Sequence, residues 1–217
     1  MLIDIILMTA SATSRIYSFE EYLEMEFHSQ ARHRFDNGII SLMPYTSEQH
    51  SLITSNIAGE LRQLFKDSQC RSYSSDRMLY VSVCNQTFYP DVMVVCGPSD
   101  LYTYKGKMQA TLNPIALFEV LSDSTQHLDR TRKWDCYRQI SSLRQYILVG
   151  QEAMSIEVYS REDDVNRWAI DLYTDPDDFI PIQGVQLPLK EIYRNITFEA
   201  AEENRSDQEE LDQDKNT

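Results

Sequence analysis

The chain has 217 residues, 42% apolar and 25% charged, which suits one soluble domain with a core of its own. Its net charge of −14 excludes broad nonspecific binding of nucleic acid, because phosphate contacts need Lys and Arg. Much of that charge sits at the end, where eight acidic residues from Glu199 onward face only Arg205 and Lys215. With no aromatic residue after Phe198, 199–217 reads as a disordered acidic tail.

At the other end, MLIDIILM is apolar but short, contains Asp4 and lacks a basic lead. It makes a poor signal peptide and is far too short to span a bilayer, so 1–16 is expected to be a flexible extension, with Met8 an alternative start. Ser18 and Glu21 form a capping box, and Phe19, Tyr22, Leu23 and Phe27 continue at helical spacing, which predicts a helix over 18–28. Between Arg34 and Met43, Asp36-Asn37-Gly38 is a turn signal flanked by apolar-containing arms, hence a hairpin. A long helix follows over 46–65, with Ile53, Ile57, Leu61 and Leu64 as its apolar stripe and His50 in its first turn.

Residues 70–83 alternate like a strand, broken at Ser74-Ser75-Asp76. Pro90 has no donor and belongs at a strand start, so Asp91 stands at the mouth of the apolar run Val92–Val95. The polar stretch 97–113 is expected to be a mobile loop near the site. Next comes the most informative stretch, 113–150: an apolar run over 115–121 interrupted by Glu119, then an Arg-rich segment with Trp134, Tyr137 and Ile140 three apart. A second apolar run, 146–149, closes it. Strand, helix, strand in that order predicts two parallel strands joined by a right-handed crossover. After Val149 the alternation at 155–159 and 168–173 reads as antiparallel strands, 175–178 as a turn, and 185–192 as the closing strand and helix start. Cys70, Cys84, Cys96 and Cys136 show no CxxC pair and read as reduced core residues of a cytoplasmic protein.

An ionised carboxylate within an apolar strand needs a cation. Glu119 is therefore either a strand-end residue paired with an Arg or a metal ligand. If its strand neighbours the one that Asp91 opens, the two acids face one pocket, and a divalent cation between them relieves their repulsion. Mg²⁺ (or Mn²⁺) suits hard oxygen ligands, and an amine such as Lys133 beside it would support an attacking water. That is the chemistry of phosphodiester hydrolysis. The ordinary alternatives are a turn carboxylate for Asp91, a solvated helix face for Lys133, a helix-start residue for His50 and a turn residue for Asp76. Trp134 and Tyr137 read as core, and Ser122 and Asp129 as caps.

Tyr89-Pro90-Asp91-Val92, Phe118-Glu119-Val120-Leu121-Ser122, Asp129, Lys133, Tyr137 and Tyr146 resemble the Uma-type putative restriction endonuclease family of the PD-(D/E)XK nuclease superfamily. The resemblance covers roughly 17–198 and implies an α/β, restriction-endonuclease-like domain, a mixed β-sheet flanked by helices. It implies a metal-dependent DNA endonuclease with Asp91 and Glu119 as Mg²⁺ ligands, Lys133 as the amine, and His50, Asp76 and Tyr137 as possible accessory groups. The basic residues Arg130, Arg132 and Lys133 would supply a local DNA-contacting patch, and a homodimer would bring a site to each strand. Two positions depart from the pattern. The superfamily's lysine, two residues after the acid, is Leu121 here, and the family's usual Glu in the hairpin is Arg34, with Glu24 and Glu26 as substitutes to consider. Both departures point to the rival reading, a catalytically inactive nuclease fold that serves as a binding module.

Overall fold

The computed structural model describes residues 15–43, 45–122, 125–162 and 167–198. The acidic tail and residues 1–14 of the N-terminal extension therefore lie outside the described residues. Ser18 Oγ accepts from the Glu21 backbone N–H while the Glu21 carboxylate accepts from Ser18 N–H, and this capping box starts α1 (Phe19–His28). The hairpin follows as β1 (His33–Asp36) and β2 (Ile39–Leu42). Its turn residues Asn37 and Gly38 both take positive φ (47° and 91°), the conformation that a tight hairpin demands. A Cβ on Gly38 would stand 2.5 Å from the Ile16 side chain, so close approach also requires glycine there.

Ser47 caps α2 (Glu48–Leu64), whose residues Ile53, Ile57 and Leu61 are fully buried. Each such side chain contributes about 1.5–3 kcal/mol of burial free energy. Then come β3 (Cys70–Ser74), β4 (Leu79–Val81), β5 (Gln86–Phe88) and β6 (Val92–Cys96). The stretch 97–113 is not the expected mobile loop. It forms a second hairpin, β7 (Leu101–Tyr104) and β8 (Met108–Thr111), because Lys105 and Gly106 supply the two positive-φ turn residues. It packs on α1, where Glu24 accepts from Tyr104 OH at 2.7 Å and pairs with Lys105, and it does not approach the site.

The strand carrying Glu119 is β9 (Ala116–Val120). Helical residues follow in three pieces: α3 (Gln126–Leu128), a wide π-type turn over Asp129–Lys133, and α4 (Trp134–Tyr137). Next come β10 (Gln145–Val149), β11 (Ile156–Glu162), β12 (Arg167–Tyr173), β13 (Phe179–Ile182), β14 (Val185–Pro188) and α5 (Leu189–Ile192).

The central six-stranded sheet has the order β12-β11-β10-β9-β6-β3. In it β9 and β10 run parallel, as the strand–helix–strand pattern predicts, and the other pairs are antiparallel. Period-two alternation splits the side chains between two cores. Ala116, Phe118 and Val120 join Val92 and Val94 under α2 and α5, while Leu117 and Leu121 join Met93, Val95 and Tyr137 under α4. A second six-stranded sheet, β2-β1-β5-β4-β8-β7, packs its own core of Tyr22, Leu23 and Phe35 against α1.

The cysteines correct the expectation of reduced thiols. Cys70 and Cys96 are register partners on β3 and β6 and form one disulfide, and Cys84 and Cys136 form the other. Sequence separations of 26 and 52 hid both pairs from a search for short spacings. No helix among the described residues is long and apolar enough to cross a membrane.

Candidate functional site

The site lies where β6 begins and β9 ends. These strands pair antiparallel with Val92 opposite Phe118, so one step further along the ladder sets Asp91 against Glu119, on the same face. Val120 N–H donates to Asp91 Oδ2 at 2.8 Å, which fixes that carboxylate across the strand pair. On its other side, His50 Nε2 from the first turn of α2 lies 3.1 Å from the same oxygen. Helix α2 covers one face of the sheet and α4 the other, so His50 and Lys133 approach the strand ends from opposite sides.

Glu119 is 3% exposed and fully matched. Lys133 Nζ stands 2.9 Å from Oε2, and Tyr137 OH donates to Oε1 at 2.9 Å. Lys133 also reaches Asp129 Oδ1 at 2.6 Å, one turn earlier, and Tyr146 OH donates to the Asp129 carbonyl at 3.1 Å. Burial pushes the Glu119 carboxyl up to about 8; the Lys133 ammonium opposes this, and the Asp129 and Asp91 charges add to it. Burial alone would lower the Lys133 ammonium, but Glu119 and Asp129 hold it above its ordinary value. The Tyr137 phenol is held well above its usual range by burial and by the Glu119 charge.

Asp91, Glu119, Lys133 and His50 line one cavity of about 360 Å³, with Arg34 from β1 also in its wall. The three residues expected to carry the chemistry are thus brought together, and His50 joins them. Tyr137 is a core residue, as its spacing indicates, but its hydroxyl also orients Glu119. Asp76 is not brought in: it accepts from Ser74 Oγ at 3.2 Å within its turn and lines no wall of the cavity. Asp129 is no cap but a carboxylate only 1% exposed, buried against Lys133. Neither Glu24 nor Glu26 fills the hairpin position. Glu26 is held by His33 and Tyr89, and Glu24 by Tyr104 and Lys105.

The expected basic patch is not free either. Arg130 pairs with Glu157 at 2.6 Å, Arg132 with Asp36 at 2.6 Å, and Lys133 with the two acids already named. Neutralising internal acids takes precedence because those carboxylates are partly or wholly buried. Sequence reading also missed that Arg34 pairs with no acid among the described residues. The structure sets it opposite Ser41 in the β1–β2 register, on the face away from the Phe35 core.

A Mg²⁺ ion takes oxygen ligands and needs only one or two carboxylates beside waters and substrate oxygens. Asp91 Oδ2 is fixed while Oδ1 accepts no hydrogen bond from a described residue, and Glu119 faces the same cavity, so the donor set suits such an ion. Among the described residues there is no group of three or more His, Cys, Asp or Glu side chains that could hold a metal.

Comparison with known proteins bears on the same stretch. Residues 19–190 match the sequence profile of the Uma2 family, described as "Putative restriction endonuclease". The chain belongs to that family. It is 31% identical over 163 residues to the uncharacterized protein sll1609 of Synechocystis sp., covering 75% of this chain and 90% of that one. With slr1290 of the same organism, also uncharacterized, identity is 30% over 182 residues, covering 82% and 92%. Among solved structures, a putative nuclease belonging to DUF820 from Anabaena variabilis superposes with a TM-score of 0.61 at 15% identity, over 80% of this chain and 96% of the other. That likeness shows the fold, a restriction-endonuclease-like mixed sheet flanked by helices.

Proposed function

We propose that this chain is a metal-dependent endonuclease that hydrolyses DNA phosphodiester bonds, with its working domain over 17–198. The observation that carries the reading is the register-opposed pair Asp91 and Glu119 at the strand ends, with Lys133 reaching the second acid inside the same cavity. Asp91 and Glu119 would hold Mg²⁺ or Mn²⁺, which when bound polarises a phosphoryl oxygen and lowers the pKa of water. Around it, the chain's own groups have distinct tasks. His50 and the Val120 N–H orient Asp91, and Tyr137 orients Glu119. Lys133 keeps Glu119 in the pocket and presents a donor toward charge that develops on the phosphate. Lysine therefore enters from the helix rather than from the strand, where Leu121 is a buried core residue. A homodimer would set one such site against each strand of a duplex.

Plasmid DNA incubated with Mg²⁺ or Mn²⁺, with and without chelator, tests this. Wild type should nick or linearise it only with metal. Asp91→Asn and Glu119→Gln should remove that activity, and Lys133→Met should lower it about a hundredfold. One observation favours the rival reading of an inactive binding module: the Lys133 ammonium lies 2.9 Å from Glu119 Oε2 and by itself neutralises that carboxylate. If no metal elicits cutting by wild type, hydrolysis is abandoned in favour of that module.

A further inference from the structure

We infer that Arg34 is the phosphate seat of this cavity, the residue that receives a backbone phosphate of the substrate strand beside the two acids. The inference rests on the nuclease reading for the identity of the strand, but its observations are separate. Two cations line the cavity, and they differ. Lys133 is saturated by Glu119 and Asp129. Arg34 makes no ion pair with any described residue; its Nε is shut off from solvent without an acceptor, so the terminal nitrogens of its guanidinium are the donors left to meet an anion that enters the cavity. A partly buried guanidinium without a counter-charge gains from such an anion.

No acid among the described residues supplies that counter-charge. Asp91 is taken by His50 and the Val120 N–H, Glu119 by Lys133 and Tyr137, and Asp36, on the same face of β1, by Arg132 and Gln86. Arg34 is also held firmly. Its strand pairs with β2 along its whole length, Arg34 opposite Ser41, and meets β5 at Asp36 opposite Gln86. The planar fork of an arginine matches two phosphate oxygens at once, which a lysine cannot do. An anion from outside that lies between Arg34 and the acids would have its phosphorus beside the carboxylates proposed to hold the metal.

Fluorescence anisotropy with a labelled duplex oligonucleotide in EDTA, over a series of KCl concentrations, tests the seat without any metal. Arg34→Gln should weaken binding about tenfold or more and reduce the slope of log K against log salt by about 0.9, the loss of one phosphate contact. Arg34→Lys should lose affinity at an unchanged slope, and it carries the test if the Gln variant melts. In a parallel arm, inorganic phosphate should compete in wild type and not in Arg34→Gln. Loss of phosphate binding with DNA binding intact would show a seat for small phosphates and overturn the strand assignment. Wild-type affinity, slope and phosphate competition in Arg34→Gln would overturn the seat altogether. If that variant still cut DNA with wild-type KM, hydrolysis would stand and the seat fall. If binding depended on Arg34 but no metal supported cutting, the seat would stand and hydrolysis fall.

Discussion

Glu119 is a buried acid with a raised pKa, and two predictions belong to it. Its folded pKa of about 8 lies above the ordinary 4.5, so the folded protein binds a proton that the unfolded chain has released. That contribution to stability is full below pH about 4.5 and is lost as pH rises through about 8. Thermal melts of the metal-free protein should therefore show wild type losing stability relative to Glu119→Gln across that window. A metal needs the ionised carboxylate, so Mn²⁺ affinity should rise with pH up to about 8 in wild type and stay flat in Glu119→Gln, as read by calorimetry. The partner residue gives the complementary test. Lys133→Met leaves Glu119 and Asp129 buried together without their cation, and urea unfolding should report a loss of about 3–5 kcal/mol. Adding Asp129→Asn should restore part of it, since the buried carboxylate that faced the lost cation is then neutral.

The helical segment between β9 and β10 is the element that assembles these groups. The π-type turn over Asp129–Lys133 still sets Lys133 beside Asp129, and α4 then delivers Tyr137 to Glu119. Trp134 stacks on Tyr146 with centroids 5.9 Å apart, which anchors the same helix to the sheet. The disulfide from Cys136 to Cys84 ties α4 to the turn that follows β4. Cys84→Ser should lower stability by about 2–4 kcal/mol and speed amide exchange at 134–137, without comparable change in α2. Reduction should loosen the same element, so the melting temperature of wild type should fall with added dithiothreitol.

How much of this element the sequence displays is instructive. The apolar run with a lone acid, the parallel pairing of its flanking strands, and the Asp129–Lys133 spacing are all local patterns, and the structure bears them out. The pairing of Cys84 with Cys136, the strand over 179–182 and the hairpin over 101–111 are not local. They depend on tertiary neighbours, or on a Lys-Gly turn that composition alone reads as loop. Arg34 is the same kind of case. A lone arginine in a hairpin carries no sign of whether an acid awaits it, and only the packed wall shows that none does among the described residues.

At the scale of the whole molecule, the site is a seam. The central sheet contributes Asp91 and Glu119, the second sheet contributes Arg34, and helices on opposite faces contribute His50 and Lys133. The Arg132–Asp36 pair, with Asp36 only 6% exposed, joins the helical segment to the second sheet. A ligand that binds at a seam stabilises every unit that meets there, because unfolding any of them destroys the site. Mn²⁺ at about a hundred times its dissociation constant should therefore add about 2.7 kcal/mol to the unfolding free energy of wild type. Asp91→Ala should melt at one temperature whatever the metal concentration. A metal-dependent shift of equal size in that variant would place the ion elsewhere and remove Asp91 from its ligands. No shift in wild type, with Lys133→Met gaining one, would instead identify the Lys133 ammonium as the cation that this seam was built to keep.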